Sequence, residues 1–239
     1  MMGRRLRVTA DHPMVIADRT ARSLRILKAG EVRIGDYLVS PTALPSFARV
    51  TVLDLLRLLR EHPVSLPVKV RTTDDAVRRA YRRWGRSIPV TLSKYPHEMV
   101  RTNIMPWRVF EHLWRVKGMR VNTSRLQLFT SKGHTTSIPA QFSVDETFMR
   151  FLGYYLAEGW ISRESGRGGS VRERIGFSFG AHEQEYLKDV WGILTRFGIR
   201  HQLVRFPGAV TTVISSRVLA WLIRDVLQCG TRSTDKRLP

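Results

Sequence analysis

The segment Phe151-Leu-Gly-Tyr-Tyr-Leu-Ala-Glu158-Gly159-Trp160 constrains this chain more than any other. It is apolar at helical spacing and stops on a carboxylate followed by glycine, so it reads as a buried helix with an abrupt end. Gly153 and Ala157 stand four residues apart on one helix face, where their small size lets a second backbone approach closely. The last turn leaves free carbonyls at the negative end of the helix dipole, and Glu158 adds a full negative charge to it. A cation would complete such an end. Upstream, Ser143-Val-Asp-Glu146 has the capping-box pattern, which starts the helix at Ser143 and makes it ~15 residues, about 23 Å, long. Phe148, Phe151, Leu152, Tyr155 and Leu156 give it an apolar surface wider than a one-sided surface helix uses. Taken alone, the segment also fits an ordinary core helix closed by a C-cap glycine.

Charge narrows the choice. The chain has 239 residues, 40 Lys+Arg against 20 Asp+Glu and a formal net charge of +20. That excess implies a polyanionic partner, and the dominance of arginine suits bidentate phosphate contacts, although a compositional bias toward arginine would look the same. With a carboxylate at a helix foot, the chemistry implied is Mg²⁺-assisted attack on a nucleic-acid backbone. The single cysteine, Cys229, excludes an internal disulfide framework and a cysteine-based zinc site, and fits a reducing cytoplasm. No apolar run approaches the ~20 residues of a membrane span, and the basic start lacks the apolar region of a signal peptide.

Along the chain, residues 5–40 read as short strands at Leu6–Thr9, Met14–Ile16, Leu24–Leu27 and Tyr37–Val39, with turns such as Asp18-Arg19-Thr20 and Lys28-Ala29-Gly30. Helical periodicity spans Val52–Glu61 and Asp74–Trp84, the second with Arg78, Arg79, Arg82, Arg83 and Arg86 on a basic face. Pro106 stands at the N1 position of a further helix running to Trp114. Thr123–Ser131 reads as a strand pair turning at Lys132-Gly133-His134. After the motif helix the period changes from 3.6 to 2: Ile175, Phe177 and Phe179 fall on one face, Arg172, Arg174 and Ser178 on the other. This strand pairs with Trp160–Arg163 across a Gly-rich loop, Ser165–Ser170. A helix from Glu183 to Phe197, strands His201–Phe206 and Val210–Ile214 turning at Pro207-Gly208, and an amphipathic helix Ser216–Leu227 follow. Polar side chains on the outward face of such a sheet, Arg172, Arg174, Ser178 and Arg205 here, are what contact with a DNA groove uses.

The stretch Phe151–Gly159 resembles the LAGLIDADG motif of homing endonucleases, the family often found inside inteins. The first glycine, the alanine, the acid and the last glycine agree, with glutamate in place of the aspartate of the motif's name. The resemblance implies an α+β fold in which residues 143–239 form an αββαββα half-domain, its curved sheet over double-stranded DNA. It implies that Glu158 binds Mg²⁺, helped by the backbone carbonyl of Gly159, and that the motif helix pairs with a second one through Gly153 and Ala157. The tail Lys236-Arg-Leu-Pro239 resembles the family's Lys-Arg-Ile-Pro block, which places Lys236 near the scissile phosphate as a catalytic assistant. Two further stretches, Thr9-Ala-Asp-His12 and Leu27–Pro41 with Gly35-Asp36, resemble the intein splicing (Hint) fold, so residues 1–45 are a partial β-rich Hint region in which Thr9 and His12 would polarise a peptide bond. Residues 46–142 link the two and can grip DNA.

The resemblance is incomplete in two ways. Only eight residues precede Thr9 and the chain stops at Pro239, so the terminal nucleophile and final asparagine of an intein are missing, and the polypeptide should not splice alone. There is one motif where two carboxylates are needed: Val190–Gly198 repeats the glycine spacing but carries Phe197 at the acid position. The second half must come from a homodimer or from a missing part of a double-motif enzyme, and the fragment reading is preferred. The function implied is a Mg²⁺-dependent DNA endonuclease of the homing type. The alternatives are a DNA-binding remnant without nuclease activity and a part of a splicing intein.

Overall fold

The computed structural model describes residues 7–18, 22–39, 50–62, 64–72, 75–89, 91–92, 96–130, 136–165 and 171–239. The chain divides into two compact units, Met1–Arg49 and Val50–Pro239. The expected turn at Lys132-Gly133-His134, residues 19–20 of the first turn and residues 166–170 of the Gly-rich loop lie outside the described residues.

In the first unit, β1 (Pro13–Asp18), β2 (Ser23–Lys28) and β3 (Tyr37–Leu38) form an antiparallel sheet in the order β2-β1-β3. Polar side chains shape its turns. Glu31 accepts the Lys28 amide at 3.1 Å, and Asp36 accepts the Arg33 amide at 2.7 Å beside Gly35, whose φ is +104°. Ile16 is buried, whereas Leu24 and Ile26 are 66% and 70% exposed, so this sheet encloses little core by itself. Arg7–Thr9 is not a strand, contrary to expectation. It leads into a turn in which the His12 amide donates to the Thr9 carbonyl at 3.1 Å.

The second unit begins with β4 (Val52–Asp54) and α1 (Leu55–Glu61) where one helix was expected. Asp54 explains the break: its Oδ1 accepts the amides of Leu56 and Arg57 at 2.9 and 3.3 Å, which makes it the N-cap. Then come β5 (Val68–Thr72), α2 (Ala76–Trp84), α3 (Pro96–Thr102), β6 (Ile104–Pro106) and α4 (Trp107–Arg115). Pro106 closes β6 and is the N-cap of α4 rather than its first helical residue. With β7 (Leu126–Thr130) and β8 (Ile138–Pro139), these strands form a sheet in the order β6-β5-β7-β8. β9 (Gln141–Ser143) pairs with β4, Ser143 opposite Val52.

That pairing takes Ser143 out of the motif helix. The helix, α5, runs Glu146–Glu158, and its N-cap is Asp145, which accepts the Phe148 amide at 3.0 Å. It is 13 residues long, ~20 Å, two residues shorter than expected. Phe148, Phe151, Leu152 and Tyr155 are buried against Phe142, Phe177 and Phe197, with Phe142–Phe197 and Phe151–Phe177 ring centres 5.2 and 5.7 Å apart. β10 (Gly159–Ser165), β11 (Val171–Gly180), α6 (Gln184–Arg196), β12 (Gln202–Phe206), β13 (Ala209–Ile214) and α7 (Arg217–Trp221) follow, and a π-helical turn, Leu222–Val226, extends α7. The antiparallel sheet has the order β10-β11-β13-β12, with α5, α6 and α7 packed on β11. Buried side chains from both sides of residues 142 and 143 belong to one continuous hydrophobic core.

Candidate nuclease site at the foot of the motif helix

α5 passes into β10 with no intervening loop, and Gly159 makes this possible. Its amide donates to the Tyr155 carbonyl as the helix cap, and a Cβ there would stand 2.5 Å from that same oxygen. The chain therefore turns within one residue, and Glu158 is left at the exposed negative end of the helix. Among the described residues its carboxylate has no hydrogen-bond or ion-pair partner. Its pKa is raised, chiefly by desolvation and then by the charge of Glu183. Glu183 is the residue before α6 and accepts the Gly180 amide at 2.7 Å. An unpaired carboxylate at a negative helix end, which also feels the charge of Glu183, fits a divalent cation by the chemistry of its donors. Among the described residues no three His, Cys, Asp or Glu side chains gather as a metal cluster.

Lys236 belongs to the same turn. Its Nζ donates to the Tyr155 carbonyl at 2.7 Å and lies 3.1 Å from the centre of the Tyr155 ring. Burial lowers its pKa to about 8, with Cys229 and Asp235 pulling the other way. The segment that carries it, though largely exposed, is held by hydrogen bonds. Asp235 accepts the amides of Thr231 and Arg232 at 2.9 and 2.6 Å and the Thr231 hydroxyl at 3.1 Å. Those bonds hold the Asp235 carboxyl below the usual range. Gly230, at φ +79°, lets the loop close, since a Cβ there would stand 2.2 Å from the Asp235 carbonyl oxygen. The Tyr155 hydroxyl donates to the Gly230 carbonyl at 2.7 Å, and the Ile161 amide to Thr231 at 2.9 Å. The loop is thus fastened to both α5 and β10, and Glu158, Gly159 and Lys236 share one helix foot.

The remaining expected residues divide. Gly153 and Ala157 lie on an exposed face of α5, where a Cβ on Gly153 would meet nothing within 4 Å. Arg172, Arg174 and Ser178 alternate on the sheet face away from the helices. Arg174 pairs with Glu164 at 3.4 Å, Arg172 is exposed, and the Ser178 hydroxyl is engaged by the Trp160 indole N–H and the Thr211 hydroxyl, each at 3.0 Å. Arg205 does not join them. It stands opposite Val210, which in turn faces Phe179, so it belongs to the helix-facing side at the edge of the sheet. Gln202, Val204 and Phe206 take the outer positions of that strand. Thr9 and His12 are exposed in the other unit.

Three residues of this region went unread in the sequence. Asp235 had a local signal, a carboxylate four residues after Thr231 in a Gly-Thr-Arg-Ser-Thr-Asp run. Trp160 had a register signal, because it stands opposite Gly176 and its ring occupies the space a Cβ there would need, at 2.1 Å. Glu183 had none, since its approach to Glu158 is tertiary.

Residues 145–224 match the model of the LAGLIDADG-like domain. Along its whole length the chain is 34% identical to the uncharacterized protein MJ1054 of Methanocaldococcus jannaschii, covering 26% of that protein. It is 26% identical, again over its whole length, to the DNA polymerase II large subunit of Thermococcus kodakarensis, covering 12% of it. The chain thus spans about a quarter or less of these curated relatives. Among solved structures, I-DmoI in complex with DNA and Ca aligns with 34% of this chain and 46% of its own, at 14% identity and a TM-score of 0.29. The LAGLIDADG homing endonuclease I-GzeII in complex with its DNA target aligns with 31% of this chain and 26% of its own, at 15% identity and a TM-score of 0.25.

Proposed function

We propose that this chain, which carries a LAGLIDADG-like domain over residues 145–224, is a homing-type endonuclease that hydrolyses phosphodiester bonds of double-stranded DNA with Mg²⁺. The observation that carries the reading is the foot of α5, where Glu158 stands unpaired at a negative helix end and a lysine is fastened to the Tyr155 carbonyl of the same last turn. Glu158, with the backbone of Gly159, would hold the cation. A bound Mg²⁺ supplies Lewis-acid stabilisation of charge on a phosphate. Lys236, when protonated, answers negative charge developing near the helix foot. Arg172 and Arg174 would contact DNA from the outer sheet face, with Ser178 acting through the Trp160 indole. The second carboxylate would come from another LAGLIDADG half, in a second copy or elsewhere in a longer protein, docked on the Gly153/Ala157 face.

The experiment is incubation with a randomised duplex library and Mg²⁺. Cleavage by the chain, lost by at least about 100-fold in Glu158→Gln, supports the reading, because loss of even outer-shell ligand support costs 10–100-fold. A DNA-binding remnant is the second reading, favoured by the lack, among the described residues, of three His, Cys, Asp or Glu side chains gathered to hold a metal. Binding without cleavage, even with a second half supplied, would select it. The intein origin rests on Thr9, His12 and Gly35-Asp36. A reading frame encoding a Cys or Ser start and a final Asn around this segment would support it, and a coding region uninterrupted by such ends would sink it.

A further inference from the structure

A second concentration of unpaired positive charge lies outside the LAGLIDADG-like domain, where α2 ends. Tyr81, Arg82, Arg83, Trp84, Gly85, Arg86 and Ser87 line a half-open recess of about 610 Å³. Arg78, one turn earlier, is spoken for: it pairs with Asp75 at 3.1 Å and donates to the Val100 carbonyl at 3.1 Å. Arg82, Arg83 and Arg86 have no carboxylate partner among the described residues, and Arg82, Arg83 and Arg86 are exposed. Gly85 packs close on the Tyr81 ring, where a Cβ would stand 2.9 Å from it. Tyr81 is braced from another side by His97, edge to face, with ring centres 5.9 Å apart. The Arg83 guanidinium lies 5.0 Å from the centre of the Trp84 ring, a second planar surface next to the first.

Charge alone would suit any polyanion. The aromatic planes narrow the partner, because a stacked duplex hides its base faces and offers a protein only phosphates, sugars and groove edges. An unpaired base exposes its face and stacks on tyrosine, tryptophan or an arginine plane while neighbouring phosphates meet the free guanidinium groups. We propose that this recess binds single-stranded nucleic acid, an unpaired base lying against Tyr81 and the Arg83–Trp84 pair and its flanking phosphates on Arg82 and Arg86. The proposal does not rest on nuclease activity, since Glu158 takes no part in it.

The test is fluorescence anisotropy of the full chain in EDTA, with labelled dT and rU oligonucleotides of about 12 nucleotides and a duplex of equal length. Arg82→Ala/Arg86→Ala is expected to weaken single-strand binding at least tenfold. Its plot of log K against log salt should be shallower by about 1.4, for two phosphate contacts at about 0.7 each. Arg108→Ala/Arg120→Ala removes the same charge from other exposed positions and should weaken it far less. Tyr81→Leu keeps the charge and is expected to cost single-strand binding about fivefold or more while leaving duplex binding unchanged. The dT and rU arms tell DNA from RNA, and recess-dependent binding of either supports the proposal. Unchanged single-strand affinity in the Arg82/Arg86 variant, or equal losses in the Arg108/Arg120 variant, overturns it. If Tyr81→Leu fails to fold in a thermal scan, 2-aminopurine emission from the bound strand takes its place: a change present in the parent and absent in the Arg82/Arg86 variant supports stacking, and no change in the parent overturns it.

Discussion

At the scale of single residues, Lys236 at the foot of α5 has been moved from its ordinary titration range, and the shift carries a measurable sign. Lys236, at about pH 8, loses its proton within reach of ordinary assays. If its charge serves cleavage, the rate should fall as pH rises through about 8, and Lys236→Arg, which stays charged, should remove that fall; a Lys236→Met enzyme with an unchanged profile would contradict the role. Stability moves the opposite way. The folded pKa lies below the ordinary lysine value of 10.5, so between about 8 and 10.5 the unfolded chain binds more protons and the fold gains stability as pH rises. Urea midpoints of the parent should climb across that window relative to those of Lys236→Met. Gly176 makes a simpler case. A methyl at this position displaces the Trp160 ring and its bond to Ser178, so Gly176→Ala should cost ~1–3 kcal/mol in urea unfolding. The sequence showed Glu158, Lys236 and the alternation of β11, because each is a local pattern. It did not show that the charge of Glu183 acts on Glu158, because that effect is made by folding α6 against α5.

Among the elements, α5 illustrates where local reading stops. Its apolar stripe and its end at Gly159 were legible, but its start was not: Ser143 and Asp145 are both acceptable caps, and the choice is made by Val52, 91 residues earlier, which draws Ser143 into β9. Asp145→Ala should therefore cost about 1 kcal/mol of stability and Ser143→Ala little, a comparison chemical denaturation reads directly. Arg205 was placed on the wrong face for a related reason. The turn at Pro207-Gly208 was seen, yet the face of each strand depends on pairing Phe206 with Ala209 and Val210 with Phe179, and only the second of these ties the hairpin to the rest of the sheet. The open face of α5 gives a prediction of two signs. A Cβ at position 153 meets nothing within 4 Å among the described residues, so Gly153→Leu should raise the stability of the isolated chain by ~0.5–1 kcal/mol through helix propensity. If a second helix docks there, the same change should weaken assembly by ~1–3 kcal/mol and cleavage with it. Sedimentation and urea unfolding on one preparation separate the effects, and a loss of stability in the isolated chain would mean the face is not open.

On the scale of the whole molecule, the net charge of +20 should make duplex affinity fall steeply with salt. For about 6 phosphate contacts the loss is roughly a thousandfold between 50 and 200 mM, and a flat response would separate the charge from DNA binding altogether. The fold of residues 50–239 also sets an order of events. Lys236 meets a carbonyl 81 residues behind it, and Gly230 meets a hydroxyl 75 residues behind it. A ribosome adding about 5–20 residues per second delivers α5 roughly 4–16 s before the residue that completes its foot. During that interval Tyr155 has neither Lys236 on its carbonyl nor the Gly230 carbonyl for its hydroxyl, so the turn from α5 into β10 is fastened only when the later segment arrives.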